Sequence, residues 1–139
     1  YSIFKKITMN SKLDKILAEI SAGELIDKIT ILEIKKIKIN DAEKLEYIEK
    51  ELLSLNDTFK KFIPDPSKIQ TQISNLKSVN LKLWDIENGK RLAERNNDFS
   101  KKFVELARSV YKTNDERAKI KLEINNILGS NIKEVKSHF

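Results

Sequence analysis

The stretch GELIDKITILEIKKIKI, residues 23–39, carries apolar residues on nearly every side of a helical wheel. Just ahead of it, Ser21 and Glu24 form a capping box, in which a hydroxyl and a carboxylate satisfy free N–H groups at a helix start. The apolar residues of the stretch are Leu25, Ile26, Ile29, Ile31, Leu32, Ile34, Ile37 and Ile39. A helix that is apolar nearly all round is usually buried on several sides. We therefore expect this helix to be the central one of a helical bundle.

The composition fits a single all-α domain. The chain has 139 residues, 40% hydrophobic and 35% charged, with only three Gly and two Pro, which favours helices over a β-sandwich or disorder. The absence of Cys excludes a disulfide framework and thiolate chemistry. No apolar run approaches the roughly 20 residues of a membrane-spanning helix, and residues 1–7 are too short and too charged for a signal peptide. We predict a cytoplasmic protein.

Three further helices follow from the apolar spacing and the breaks. Asp41 is a candidate N-cap for a second helix, whose heptad seam is Leu45, Ile48, Leu52, Leu55, Phe59 and Phe62. Pro64 and Pro66 then break the chain. A third helix starts near Ile69 and runs to about Asn96, weakened at Asn88-Gly89, which resembles a turn signal.

The fourth helix has the most regular seam, which is Phe99, Phe103, Leu106, Val110, Thr113, Arg117, Ile120, Ile124 and Ile127. Thr113 and Glu116 resemble a capping box, which could start a new helix. The heptad spacing continues across them without a shift, however, so we predict one unbroken helix. Gly129 is its C-terminal stop. The domain then spans residues 21–128. Residues 1–20 are a lead-in that fits either a short helix or an extended chain, and residues 129–139 are a polar tail.

We predict antiparallel helical hairpins with heptad seams that form a three- to four-helix bundle. The third and fourth helices, joined at Asn96-Asn97, make one hairpin, and the first two helices make a shorter pair against it. Hairpins with surplus apolar surface commonly associate, and the first helix has more apolar surface than a two-hairpin monomer readily buries. We therefore expect a homodimer.

One set of polar residues lies on the facing sides of the predicted long hairpin. Its members are Asn80, Glu87, Arg91 and Glu94 on the third helix, and Arg108, Tyr111, Asn114 and Arg117 on the fourth. The only Arg residues of the chain are Arg91, Arg95, Arg108 and Arg117, and Arg in a Lys-rich chain indicates a need for a planar, bidentate fork. The set forms either internal ion pairs that fix helix register or a pocket for a small anion. Trp84 is expected in the core or an interface.

Catalytic, cofactor and metal sites have no signature in the sequence. His138 is the only His and lies in the tail, so His-based triads and metal motifs are absent, as is a Gly-rich phosphate loop. The net charge of +6 and the pI near 9.4 suggest nucleic acid or an anionic membrane as a partner. The basic residues are interspersed with Glu, however, and such a surface is usually only solvated. We predict no nucleic-acid binding.

The chain resembles a family of small bacterial all-helical proteins of unknown function. The resemblance rests on GELIDKITILEIK at Gly23–Lys35, VNLKLWDIE at Val79–Glu87, FVELARSVY at Phe103–Tyr111 and NDER at Asn114–Arg117. It covers roughly residues 20–137, and Asn88-Gly89 departs from the acidic residues of relatives. It implies a helical protein without assigned chemistry and a link to cell-surface polysaccharide synthesis, and it carries over no functional residues.

Three functions remain open from the sequence. The first is a non-enzymatic helical interaction or scaffold protein that binds itself and a protein partner. The second is a small-anion-binding protein, or a chorismate-mutase-like helical enzyme that uses an Arg/Glu pocket, although the first helix has no Arg to hold a substrate. The third is a nucleic-acid binder, which rests on the pI alone.

Overall fold

The computed structural model describes residues 12–136 and contains four α-helices. These are α1 (Ala22–Lys38), α2 (Ala42–Phe62), α3 (Gln70–Arg95) and α4 (Lys101–Leu128), and a 3₁₀ turn at Ser67–Ile69 leads into α3. Within residues 12–136 there is no β-strand, and the all-α prediction is confirmed.

The predicted caps set most of the helix ends. The Ser21 hydroxyl accepts from the Glu24 N–H at 3.0 Å, and Asp41 accepts from the Lys44 N–H at 3.1 Å. Gly129 ends α4 with a φ of 65°, a left-handed conformation that costs Gly little. The second half of the predicted capping box is wrong, because the Glu24 carboxylate pairs with Lys121 of α4 and Lys28 instead.

The Asn88-Gly89 pair does not break α3, which is helical from Gln70 to Arg95. A Cβ built on Gly89 would lie 3.3 Å from Leu106 of α4, so this Gly lies where the two long helices come close. The prediction that this helix continues past the turn signal to about Asn96 is confirmed. The prediction that α4 passes unbroken through Thr113 and Glu116 is confirmed.

The first helix is central, as expected. Among the described elements, α1 packs against α2, α3 and α4, α3 packs along α4, and α2 packs against α1 alone. The core joins residues of all four helices and the 3₁₀ turn: Leu25, Ile26, Ile29, Leu32, Ile48, Leu52, Ile63, Ile69, Leu76 and Ile124.

Helices α1 and α4 come very close together at the start of α1. A Cβ on Gly23 would lie 2.5 Å from the backbone oxygen of Lys121, so only Gly allows this contact. The Gly23 N–H donates to the buried Asn125 side chain at 2.7 Å. Gly23 therefore sets where α1 crosses α4.

Most apolar residues of α1 are covered within one chain, including Leu25, Ile26, Ile29, Leu32 and Ile34, and Ile37 is the large exception at 71% exposure. The exposed apolar surface that we expected on this helix is therefore covered by the rest of the chain. Helix α1 gives no argument for a dimer, because α2, α3 and α4 surround it.

The two ends of the chain differ. Residues 12–20 are exposed and irregular, and the part of the predicted lead-in before residue 12 lies outside the described residues. The C-terminal segment is polar but folds back on the bundle: Glu134 accepts from the Ser21 hydroxyl and the Asn125 amide, and Lys136 pairs with Asp115 at 2.6 Å. In the described part of the chain no helix has the length and apolar character needed to cross a membrane.

Candidate functional site

A groove of about 620 Å³ lies between α1 and the middle of the α3–α4 hairpin. Five of the eight predicted site residues line it: Asn80, Glu87, Arg91, Asn114 and Arg117. The other three, Glu94, Arg108 and Tyr111, lie outside it and are exposed on the hairpin. The expectation that Glu94 and Arg108 face the bundle interior is wrong, because both side chains are exposed to solvent. Arg91 is also exposed, at the rim of the groove.

The inner wall of the groove is built on Asp27, a residue that the sequence analysis did not single out. Its carboxylate is 1% exposed. Arg117 donates from Nε to Asp27 Oδ1 at 2.9 Å and from Nη2 to Oδ2, and Asn80 donates to Oδ1 at 2.9 Å. The Asn80 amide also donates to Thr30 Oγ1 at 2.9 Å. The buried carboxylate therefore has a bidentate Arg and an amide as partners.

Arg117 was expected to pair with the other polar residues of the hairpin or with a bound anion, and this prediction missed Asp27 of α1. A signal was present, because Asp27 is a lone carboxylate between Ile26 and Ile29 in the most apolar helix. A buried carboxylate needs a charged or hydrogen-bonding partner. Only two residues of the chain that could supply a bidentate fork, Arg91 and Arg117, lie near this level of the bundle.

The charges around Asp27 are matched across the α1–α4 interface. The hydrogen bond to Asp27 raises the pKa of Arg117 above its ordinary value, and burial acts in the opposite direction without cancelling it. Lys121 pairs with Glu24 and lies 3.9 Å from Asp27. Two acidic residues of α1 thus face two basic residues of α4, which fixes the register of these helices.

The polar groups in the outer half of the groove have fewer hydrogen-bond and ion-pair partners. Glu87 accepts from Lys90 at 3.4 Å on its own helix and makes no ion pair with an Arg of the set. Within residues 12–136, Arg91 makes no ion pair, and the side-chain amides of Asn88 and Asn114 make no hydrogen bond. The apolar wall consists of Ile31, Ile34, Leu83 and Trp84. Trp84, expected in the core or an interface, is half-buried at this wall.

The chemistry available in the groove depends on which of its groups are already engaged. Asp27, the one ionisable group among residues 12–136 that is buried, is engaged by Arg117 and Asn80, whereas a general base must have a lone pair within reach of a substrate proton. In the described part of the chain no three Asp, Glu or His side chains are grouped as metal ligands would be. What the groove offers is hydrogen-bond donors beside an apolar wall.

The fold and the groove together define the class of protein: an all-helical bundle in which a central helix and a long hairpin enclose a polar groove. The chain belongs to the family of unknown function DUF6165, whose model matches residues 16–138. No curated protein and no solved structure matches the chain.

Proposed function

We propose that this protein is a non-enzymatic helical interaction protein, and that the α3–α4 hairpin pairs two copies of it. The observation that supports the proposal is the length of the hairpin. Helix α1 has 17 residues, whereas α3 has 26 and α4 has 28. At ~1.5 Å per residue these helices are about 26, 39 and 42 Å long. The hairpin therefore extends by more than about 10 Å past the helix that covers its base.

The outer faces of the hairpin expose apolar side chains. Leu92 is 57% exposed, Phe99 55%, Val104 50% and Tyr111 54%. Val104 and Tyr111 are seven residues apart and so lie on the same face of α4. These two residues lie outside the heptad seam of α4 and form an exposed apolar face, and exposed apolar patches mark interaction sites.

A second copy of the chain is the partner that we propose. A two-fold axis would place the same apolar face of each hairpin against the other, which is the commonest geometry of soluble dimers. Such a pairing would build a four-helix arrangement from two hairpins. The mixed Lys and Glu surface of the hairpin would remain solvated around it.

Sedimentation velocity over a range of concentrations from about 1 to 200 μM tests the proposal. We expect a species of twice the 16.1 kDa chain mass to dominate at the upper end. A single 16.1 kDa species at all concentrations would show that the hairpin does not pair copies of this chain.

The other functional predictions keep tests of their own. A nucleic-acid binder would show submicromolar affinity for duplex or single-stranded DNA that falls steeply with salt, and we predict no such binding at physiological salt. A chorismate-mutase-like activity would be detected directly as conversion of chorismate to prephenate. The link to cell-surface polysaccharide synthesis and the bacterial origin rest on the sequence resemblance, and the cytoplasmic location stays a prediction of the sequence.

A further inference from the structure

The inner wall of the groove is complete without a ligand. Arg117 uses Nε and Nη2 on Asp27, and Asn80 bridges Asp27 and Thr30. Throughout residues 12–136, every buried side-chain nitrogen and oxygen has a hydrogen-bond partner. The network therefore stabilises the fold by itself and holds the Arg117 guanidinium in one orientation.

The outer wall, by contrast, carries unused donors and one uncompensated charge. Asp27 neutralises Arg117 and Lys90 neutralises Glu87, which leaves the positive charge of Arg91. The amides of Asn88 and Asn114 face the same groove. The groove therefore offers free N–H donors from these two amides, and its balance of charge is positive.

The apolar wall gives the groove a second kind of contact. Trp84 and Leu83 of α3 lie opposite Ile31 and Ile34 of α1. The volume of about 620 Å³ lies within the range of small-molecule sites, which are mostly apolar with a few well-placed polar groups. An inorganic ion alone would leave this wall without a partner.

We propose that the groove binds a small organic anion. Its carboxylate or phosphate group is held by Arg91 with the amides of Asn88 and Asn114, and its carbon skeleton lies against Trp84 and the two Ile residues. A guanidinium fits both kinds of anionic group in a bidentate manner. This inference does not depend on pairing of the hairpins, since all of these residues come from one chain.

Trp84 is the only Trp of the protein, so its fluorescence reports on this groove alone. We would titrate the wild-type chain with benzoate, citrate, inorganic phosphate and glucose 6-phosphate, each at constant ionic strength against chloride. At least one organic anion should give a saturable change in Trp84 emission. Benzoate or citrate as the better probe would assign a carboxylate ligand, and glucose 6-phosphate would assign a phosphate ester.

Two variants make the test specific. Arg91→Gln removes the free charge of the groove, whereas Arg95→Gln removes a similarly exposed Arg of the same helix that does not line it. We expect Arg91→Gln to weaken binding at least tenfold and Arg95→Gln to leave it unchanged, with both variants keeping the wild-type circular dichroism spectrum. A set of four titrations without saturation would overturn the proposal. So would an equal loss of affinity in both variants, because binding would then follow net charge and not the groove.

Discussion

Arg117 of α4 donates from Nε to Oδ1 of Asp27 on α1 at 2.9 Å, although the two residues are 90 positions apart in the chain. The carboxylate is buried, while the Arg side chain is 29% exposed at the groove. Because the two side chains differ in burial, removing one should change the free energy of unfolding by a different amount from removing the other. Helix α1 is thereby joined to the long hairpin by a charged contact as well as by apolar packing.

Removal of Arg117 should destabilise the fold strongly. In Arg117→Ala the Asp27 carboxylate keeps Asn80 but loses its bidentate partner, and breaking a buried pair typically costs 3–5 kcal/mol. We expect about 3 kcal/mol in the free energy of unfolding measured with urea, at the low end because Lys121 remains 3.9 Å from Asp27. Glu87→Ala, which removes only a surface pair, should cost less than about 1 kcal/mol.

The double variant Asp27→Leu/Arg117→Met is the control for this prediction. It replaces both charges with apolar groups, so no buried charge is stranded, and the loss should be clearly smaller than in Arg117→Ala. If Glu87→Ala were as destabilising as Arg117→Ala, the pairing described here would not be the one that holds α1 in place.

Gly23 should not tolerate a methyl group, whereas Gly89 should. In Gly23→Ala the new Cβ would meet the Lys121 backbone oxygen at 2.5 Å, and we expect a loss of about 1–3 kcal/mol from overpacking. In Gly89→Ala the nearest atoms belong to the Leu106 side chain at 3.3 Å, which can rotate. The gain of about 0.5–1 kcal/mol from removing a helical Gly should then offset the contact. Thermal melts of the two variants compare them directly, and equal melting temperatures would contradict the close α1–α4 approach.

Glu134 should make stability depend on pH in the acid range. Burial raises the pKa of its carboxyl, but hydrogen bonds from Ser21 and Asn125 and the nearby Lys121 outweigh burial and bring the pKa below its ordinary value of 4.5. A lowered pKa means that the folded state favours the charged form. The contribution is therefore present above about pH 4.5 and is lost as the pH falls through the lower folded value.

The comparison of wild type with Glu134→Gln measures this contribution. We expect the variant to unfold at lower urea concentration at about pH 7, and the difference to shrink as the pH falls below 4.5. Glu49→Gln, a change at an exposed residue of α2, serves as the control and should follow wild type throughout. A difference in unfolding free energy between wild type and Glu134→Gln that stays constant over the whole pH range would mean that the charge of Glu134 does not contribute to stability.

Two matched Lys substitutions test whether the apolar face of the hairpin pairs two copies of the chain. Val104→Lys places a charge on the exposed apolar face of α4, where Val104 is 50% exposed, and Leu53→Lys does so on α2, where Leu53 is 66% exposed. We expect Val104→Lys to weaken self-association at least tenfold, because the charge would be buried between the two copies, and Leu53→Lys to have no effect. The sedimentation coefficient against concentration is the measurement. A loss of association in Leu53→Lys alone would assign the interface to α2 and not to the hairpin.

Features that depend on neighbouring residues in the chain were predicted well. The Ser21 and Asp41 caps, the stop at Gly129 and the continuity of α4 all follow from interactions within a few residues. The third helix also continues through the turn signal at Asn88-Gly89, as predicted, with Gly89 packed against Leu106 of α4. The central position of α1 was also readable, since only a surrounded helix can be apolar on nearly all sides.

The candidate site could be predicted only in part from the sequence. Heptad phase placed Asn80, Asn114 and Arg117 toward the interior correctly, but it placed Glu94 and Arg108 there as well. The heptad pattern predicts which face of α3 packs against α4. With only two helices, however, that face stays partly exposed to solvent. Burial of a polar residue depends on whether a third helix lies over its face, and Glu94 and Arg108 remain exposed on the hairpin.

The sequence by itself therefore determined the number of helices, their ends and the choice of α1 as the central helix, because these follow from local hydrogen bonds and apolar periodicity. The tertiary structure alone decided that Asp27 receives Arg117 and Asn80, that Gly23 lies against Lys121, and where the groove opens. Each of these depends on the crossing position and length of α1 relative to the hairpin. That relation is set by the packing of residues up to about a hundred positions apart, such as Gly23 and Asn125, which no local pattern records.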